Sequence, residues 1–158
     1  MSLHLRPARV LDAGAMGDIL YGFQAELYGG PTLWSGAETI ADCGEMIARG
    51  WVTVAEMVAE GAAEEAGGRV AGFLACDGLE VCALYVAAEA RDAGVGQSLL
   101  EAAKQGRDRL WLKVLEQNAG ARRFYRRNGF TEVGRSDGAD NDEGLPDITM
   151  EWRREGAR

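Results

Sequence analysis

Apolar positions along the chain follow two periods, and the switch between them predicts the elements. LHLRPA (3–8) alternates as a short first strand. Met16, Ile19, Leu20, Phe23 and Leu27 then fall at helical spacing behind Asp12, a residue able to cap a helix. Ser35 and Glu38 form a capping-box pattern ahead of Ile40, Cys43 and Ile47, with Gly50 as the stop. WVTVA (51–55) reads as a strand, and EMVAEGAAEEAGG after it stays open between strand end, loop and helical turn. RVAGFLAC (69–76) and LEVCALYV (79–86) are strands joined by Asp77-Gly78, a strong hairpin signal. A helix with Leu99, Leu100 and Ala103 inward follows, then a strand LWLKVL (110–115) and a short helix AGARRFYRR (119–127) stopped at Asn128-Gly129. FTEVGR and DITMEW close the chain as strands around the acidic loop SDGADNDEGLP. Strands alternate with helices in the middle and pair as hairpins at the ends. That order predicts a mixed α/β domain, a sheet with helices on both faces.

No repeat, linker or low-complexity tract divides the 158 residues, so the expectation is one domain over 1–158. Apolar content of 47% and charged content of 27% fit a soluble globular protein. No segment has the length of a membrane span and MSLHLRP does not resemble a signal peptide, so the cytoplasm is expected. A net charge of −8 argues against nucleic acid or an anionic membrane as partner. Cys43, Cys76 and Cys82 are odd in number and lack metal-ligand spacing, so they read as reduced core thiols and no metal is expected. His4, the one histidine, lies in the first strand, which leaves little basis for a Ser-His or Cys-His hydrolase.

The seam RDAGVG (91–96) lies where an apolar strand ends and an amphipathic helix begins. Gly94 and Gly96 let backbone approach a ligand closely. They open a helix whose first N–H groups have no intrahelical partner. With Arg91 and the helix dipole, the seam suits an anion such as a phosphate. It is not a dinucleotide fingerprint, because Leu99 stands at the third glycine and the seam follows the fourth strand rather than the first. It is not a Walker loop, because Gly-Lys-Ser/Thr is absent. The loop 137–147 does not fit an EF-hand, having Leu145 at the required glycine and Pro146 after it, and reads as a solvated acidic loop.

Arg91-x-x-Gly94-x-Gly96 resembles the Arg/Gln-x-x-Gly-x-Gly/Ala motif of the GNAT superfamily of acyl-CoA-dependent N-acyltransferases. Ala83-Leu84-Tyr85-Val86 is similar to that family's fourth strand. Asn118-x-x-Ala121-x-x-Phe124-Tyr125-x-x-x-Gly129-Phe130 is similar to the segment after its fifth. The resemblance covers essentially the whole chain. It implies a splayed, mostly antiparallel mixed sheet of about six to seven strands, and acetyl-CoA as co-substrate for transfer to the primary amine of a small molecule or protein. A monomer and a homodimer are both compatible with it. It further implies that backbone N–H groups of Arg91, Asp92, Ala93, Gly94, Val95, Gly96 and Gln97 bind the CoA diphosphate. Leu84, Tyr85 and Val86 would offer main-chain partners to the pantetheine arm. Asp92 and Ala93 depart from the family pattern, where many members have glycine or a basic residue; a carboxylate at this point disfavours a diphosphate.

By the same resemblance the Val86 N–H is a candidate oxyanion donor and Tyr125 a candidate acid for the departing thiolate, or else a packed aromatic beside Phe124. Glu80 shares strand parity with Cys82, Leu84 and Val86, and is either the base for the amine proton or a solvated strand-end residue. Asn118 hydrogen-bonds the cofactor, caps the helix at Ala119, or does both. Arg122, Arg123, Arg126 and Arg127 form a basic stripe, either a solvated face or an attractor for polyanionic CoA. Tyr28 and Trp34 lie where the family often forms its acceptor pocket. The contrasting expectation is an acyl-CoA-binding or regulatory module of the same fold without turnover.

Overall fold

The structure is a computed structural model that describes residues 2–28, 36–59, 61, 68–141 and 144–156, with Leu27 and Tyr28 described by backbone alone. Its elements run β1 (Ser2–Pro7), α1 (Ala13–Tyr28), α2 (Gly36–Ala48), β2 (Val52–Val58), β3 (Arg69–Asp77), β4 (Glu80–Val86), α3 (Val95–Lys104), β5 (Arg109–Leu115), α4 (Ala119–Arg127), β6 (Thr131–Ser136) and β7 (Asp147–Arg153). Short 3-10 turns at Val10–Asp12 and Ala88–Ala90 precede α1 and follow β4. The strands form one open sheet in the order β1-β2-β3-β4-β5-β7-β6. β4 and β5 are parallel, pairing at Glu80 opposite Trp111, while β1-β2, β2-β3, β5-β7 and β6-β7 are antiparallel. Seven strands in a mixed, mostly antiparallel sheet match the expected fold class. The stretch left open after WVTVA continues as strand to Val58; Glu60 and residues 62–67 lie outside the described residues.

Contacts group the chain into two units, Met1–Cys76 with Ala83–Ala102, and Asp77–Cys82 with Ala103–Arg158. In the first, β3 is covered on both sides, which explains its unbroken buried run from Ala71 to Ala75. Phe73 and Ala75 pack with Met16 of α1, Cys43 of α2, Val52 and Val54 of β2, and Ala83 of β4. Gly72 points the other way, where a Cβ would lie 2.9 Å from the Tyr85 carbonyl oxygen and 3.0 Å from Val95 Cγ1 of α3. Glycine is therefore what lets β3 sit this close to the end of β4 and to α3. Leu99 and Leu100 complete the buried side of α3.

Two local expectations change. Asp12 does not cap α1; it reaches back to accept from the Arg9 N–H at 2.7 Å and from both Arg6 Nη atoms at 2.8 and 3.0 Å. A guanidinium fork matched to a buried carboxylate outweighs a helix-capping bond. Ile40 is 41% exposed, because α2 turns Thr39 and Cys43 inward instead and sets Ile40 against Gly17 of α1. Ser35, the other half of the expected capping box, lies outside the described residues.

In the second unit Leu110, Leu112 and Val114 of β5 and Ile148, Met150 and Trp152 of β7 are buried at alternate positions, the period-2 pattern seen in the sequence. Asn118 caps α4, its Oδ1 accepting from the Ala121 N–H at 3.1 Å. The acidic loop after β6 is organised rather than merely solvated. Buried Asp147 accepts from the Ser136 hydroxyl at 2.8 Å and from the Asn141 amide at 3.2 Å, and the Asn141 amide also donates to the Leu145 carbonyl at 2.7 Å.

Candidate active site

In the first unit the run from Leu84 to Gln97 passes from strand through a 3-10 turn into α3. Tyr85 commits its ring to the core, 4.9 Å from the Phe23 ring and 5.7 Å from Phe73, so its main chain is what it can offer a ligand. The Ala87 N–H is spent on the Ala71 carbonyl at 2.8 Å. Arg91, Asp92, Ala93 and Gly94 are exposed. Gly94 has φ +78° and open space where a Cβ would stand. Ser98 N–H donates to the Gly94 carbonyl at 3.0 Å, the first rung of α3. The N–H groups of Val95, Gly96 and Gln97 therefore stand ahead of the intrahelical ladder, at the positive end of a ten-residue helix. An anion can approach this end because the glycine before it carries no side chain.

A cleft of about 250 Å³ opens beside this run, lined by Ile19, Phe23 and Glu26 of α1 and by Val86, Ala87 and Arg91 among others. Arg91 Nη2 donates to Glu26 Oε2 at 2.8 Å across the cleft wall. Glu89, another lining residue, pairs with Arg69. Asp92 has φ +64°, a left-handed conformation that Asp tolerates better than most L residues. Asp92 thus adopts here a backbone conformation that glycine takes without cost.

In the second unit Glu80 begins β4, half-buried beside the hairpin, and the adjoining Leu79 carbonyl accepts from the Trp111 N–H at 2.9 Å. Cys82 is exposed rather than a core thiol, because the pleat that turns Val81 and Ala83 inward turns Cys82 out; Cys76 is half-buried. Cys43 alone of the three is fully buried, and burial pushes its thiol up to about 11. Tyr125 is 8% exposed and meets the Phe124 and Phe130 rings edge-on at 5.3 and 5.5 Å. Asn118 lies seven residues before it, at the start of α4. Of the basic stripe, Arg122 and Arg126 both donate to Glu132 Oε1, at 2.8 and 2.5 Å, and those bonds hold Glu132 below the usual carboxylate range. Tyr28 is the last residue of α1, its side chain outside the described residues, and Trp34 lies outside them altogether. Among the described residues no group of three or more His, Cys, Asp and Glu side chains could hold a metal ion, and no helix is long and apolar enough to cross a membrane.

Residues 49–132, more than half of the chain, match the family model of the acetyltransferase (GNAT) domain. The chain belongs to that family. The match contains the whole of the GNAT glycine seam, the cleft's strand side and α4. Among curated proteins, the peptidyl-lysine N-acetyltransferase YjaB of Escherichia coli (strain K12) is 33% identical over 81 residues, covering 51% of this GNAT chain. The match spans 55% of that relative's length. The solution structure of apo-form YjaB from Escherichia coli shares the fold with a TM-score of 0.74 at 24% identity, over 96% of this chain and 98% of that one. The PaiA N-acetyltransferase of Thermoplasma acidophilum, solved in complex with coenzyme A, has a TM-score of 0.67 at 21% identity, over 97% and 99% of the two chains.

Glu26 carries no signal in the sequence that marks it as part of the site. Asp18, Gly22 and Glu26 recur every four residues on α1 and all line the cleft, but such a stripe reads by itself as a solvated helix face.

Proposed function

We propose that the protein is an N-acetyltransferase that moves an acetyl group from acetyl-CoA directly to a primary amine. The observation that carries this is the exposed Gly94 at φ +78°, which bares the unladdered N–H groups of residues 95–97 beside Arg91 in a chain of the GNAT family. Those donors and the helix dipole supply what a diphosphate requires. The main chain of Leu84, Tyr85 and Val86 serves the pantetheine arm, Asn118 adds a polar contact, and Tyr28 and Trp34 belong to the acceptor side. Glu80 takes the proton from the ammonium, directly or through water. The free amine attacks the thioester carbonyl, whose oxyanion is met by the Val86 N–H. Collapse breaks the C–S bond, Tyr125 protonates the departing thiolate, and the proton then lost by the new amide nitrogen restores the phenol. The name of the YjaB relative supports a lysine ε-amine as one acceptor class.

The aromatic packing of Tyr125 favours one second reading, an acyl-CoA-binding module without turnover, in which the phenol is core alone. Calorimetry and single-turnover transfer on the same proteins decide between them. Acetyl-CoA at a hundred times its dissociation constant should stabilise the fold by about 2.7 kcal/mol, NADH should not, and Gly94→Val should lose most of that effect. Tyr125→Phe should bind acetyl-CoA nearly normally while transfer to an amine panel falls by about 10²-fold. Near-normal transfer in Tyr125→Phe would remove the acid role, and no transfer by the unmodified protein to any amine would favour the binding module.

A further inference from the structure

The ion pair between Glu26 and Arg91 is not used by acetyl transfer. The two residues are 65 positions apart, come from α1 and from the turn after β4, and meet at 2.8 Å through one Nη and one carboxylate oxygen. Their side chains are 54% and 45% exposed, so the contact adds little to folding. Its effect falls on the guanidinium. A carboxylate that occupies Arg91 neutralises the one cation beside Gly94 in the seam, where Asp92 already adds a negative charge. A diphosphate brings more charge and more acceptor oxygens to the same fork than Glu26 does. A diphosphate at the seam therefore competes with Glu26 for Arg91, which the carboxylate holds and neutralises through one Nη.

Resting on the acyl-CoA reading of the seam, we infer that Glu26 is a positioning residue that holds Arg91 on the cleft wall and lowers acyl-CoA affinity by competing with the diphosphate for its guanidinium. Acetyl-CoA and CoA share the diphosphate, so both are affected alike. Glu89 does not substitute for Glu26, because it is engaged by Arg69.

The test is a double-mutant cycle on the full chain, with acetyl-CoA and CoA titrated calorimetrically into the unmodified protein, Glu26→Gln, Arg91→Met and the double variant, at low and high salt. Glu26→Gln should tighten both ligands by roughly threefold at low salt, the scale of an exposed ion pair. The gain should shrink at 1 M salt, where the screening length is about 3 Å. It should vanish in the Arg91→Met background, the signature of coupling through that side chain. Glu26→Asp, which keeps the charge one methylene further back, should tighten the ligands less than Glu26→Gln and guards against a packing artefact. Unchanged or weaker binding in Glu26→Gln overturns the inference. So does an equal gain without Arg91, which is plain repulsion rather than competition. If the unmodified protein binds neither acetyl-CoA nor CoA, the acyl-CoA reading itself falls, a result distinct from a silent Glu26→Gln.

Discussion

Asp92 shows how much of this site is decided one residue at a time. At φ +64° it occupies a conformation that costs most L residues about 1–2 kcal/mol and glycine nothing. It also sets a carboxylate beside the seam proposed to take a diphosphate. The two penalties separate by substitution. Asp92→Gly should leave stability within about 0.5 kcal/mol, since glycine gains in the folded state what it loses by freeing the unfolded chain. Asp92→Ala should lower it by about 1 kcal/mol. Both should tighten acetyl-CoA, because both delete the charge; denaturant titration and calorimetry read the two effects independently. Tighter binding in neither variant would mean the carboxylate points away from the ligand. Gly94, Asp92 and Asn118 were legible in the sequence because their roles are local: a turn, a departure from a motif, a cap one helical turn from its N–H. Glu26 was not, since its partner lies 65 residues away and nothing near it in sequence announces the pair. Cys82 departs from its expected burial for a related reason. Residue type favours burial of cysteine, but strand parity next to Val81 and Ala83 decides the side it faces.

At the scale of elements, periodicity located the seven strands and four helices of the described residues, with boundaries exact or displaced by up to three residues. What it could not supply was the rotation of α2. Ile40, Cys43 and Ile47 suggest one buried stripe, yet tight packing at Gly17 places Ile40 at the α1 contact and leaves it 41% exposed. Nor did periodicity mark Gly72, which looks like an ordinary weak point in a strand. Its value appears once β3, β4 and α3 are assembled, because the space for its Cβ is taken by the Tyr85 carbonyl and Val95. Gly72→Ala should therefore destabilise the fold by about 1–3 kcal/mol, the range for overpacking. The displaced neighbours are the strand end and helix start of the candidate site, so acetyl-CoA binding should weaken as well. Thermal unfolding and ligand titration on this variant check both. Stability at the unmodified level would show that β4 can yield, and that the close approach does not set the position of the site.

For the whole molecule, charge and burial set a pH window of stability. On the acid side Asp12 is held below the usual carboxylate range chiefly by hydrogen bonds from Arg6, and Glu132 and Glu151 are lowered by their arginine partners. A depressed carboxylate stabilises the fold above its unfolded pKa, about 4 for Asp and Glu, and that contribution is lost as pH falls through the lower folded value. Asp12 matters most here, being 8% exposed and bonded to Arg6 and the Arg9 N–H, whereas Glu132 and Glu151 act near the surface, where water screens them. On the alkaline side the relevant group is Cys43. Its thiol is raised from an ordinary value of 9.0 to about 11 by burial first and by Asp42 second. A group raised in the folded state stabilises it fully below the unfolded pKa and loses that contribution as pH climbs through the folded one. Unfolding free energies measured from pH 3 to 11 should thus show a plateau between about 5 and 8, with a fall on each side. Asp12→Asn should flatten part of the acid limb, and Cys43→Ala part of the alkaline limb. The quantity to compare is the slope rather than the absolute stability, because Cys43→Ala also leaves a cavity. One thiol contributes a slope of at most about 1.4 kcal/mol per pH unit. If the alkaline limbs of the unmodified protein and Cys43→Ala run parallel, ionisation of that thiol is not what limits the fold at high pH.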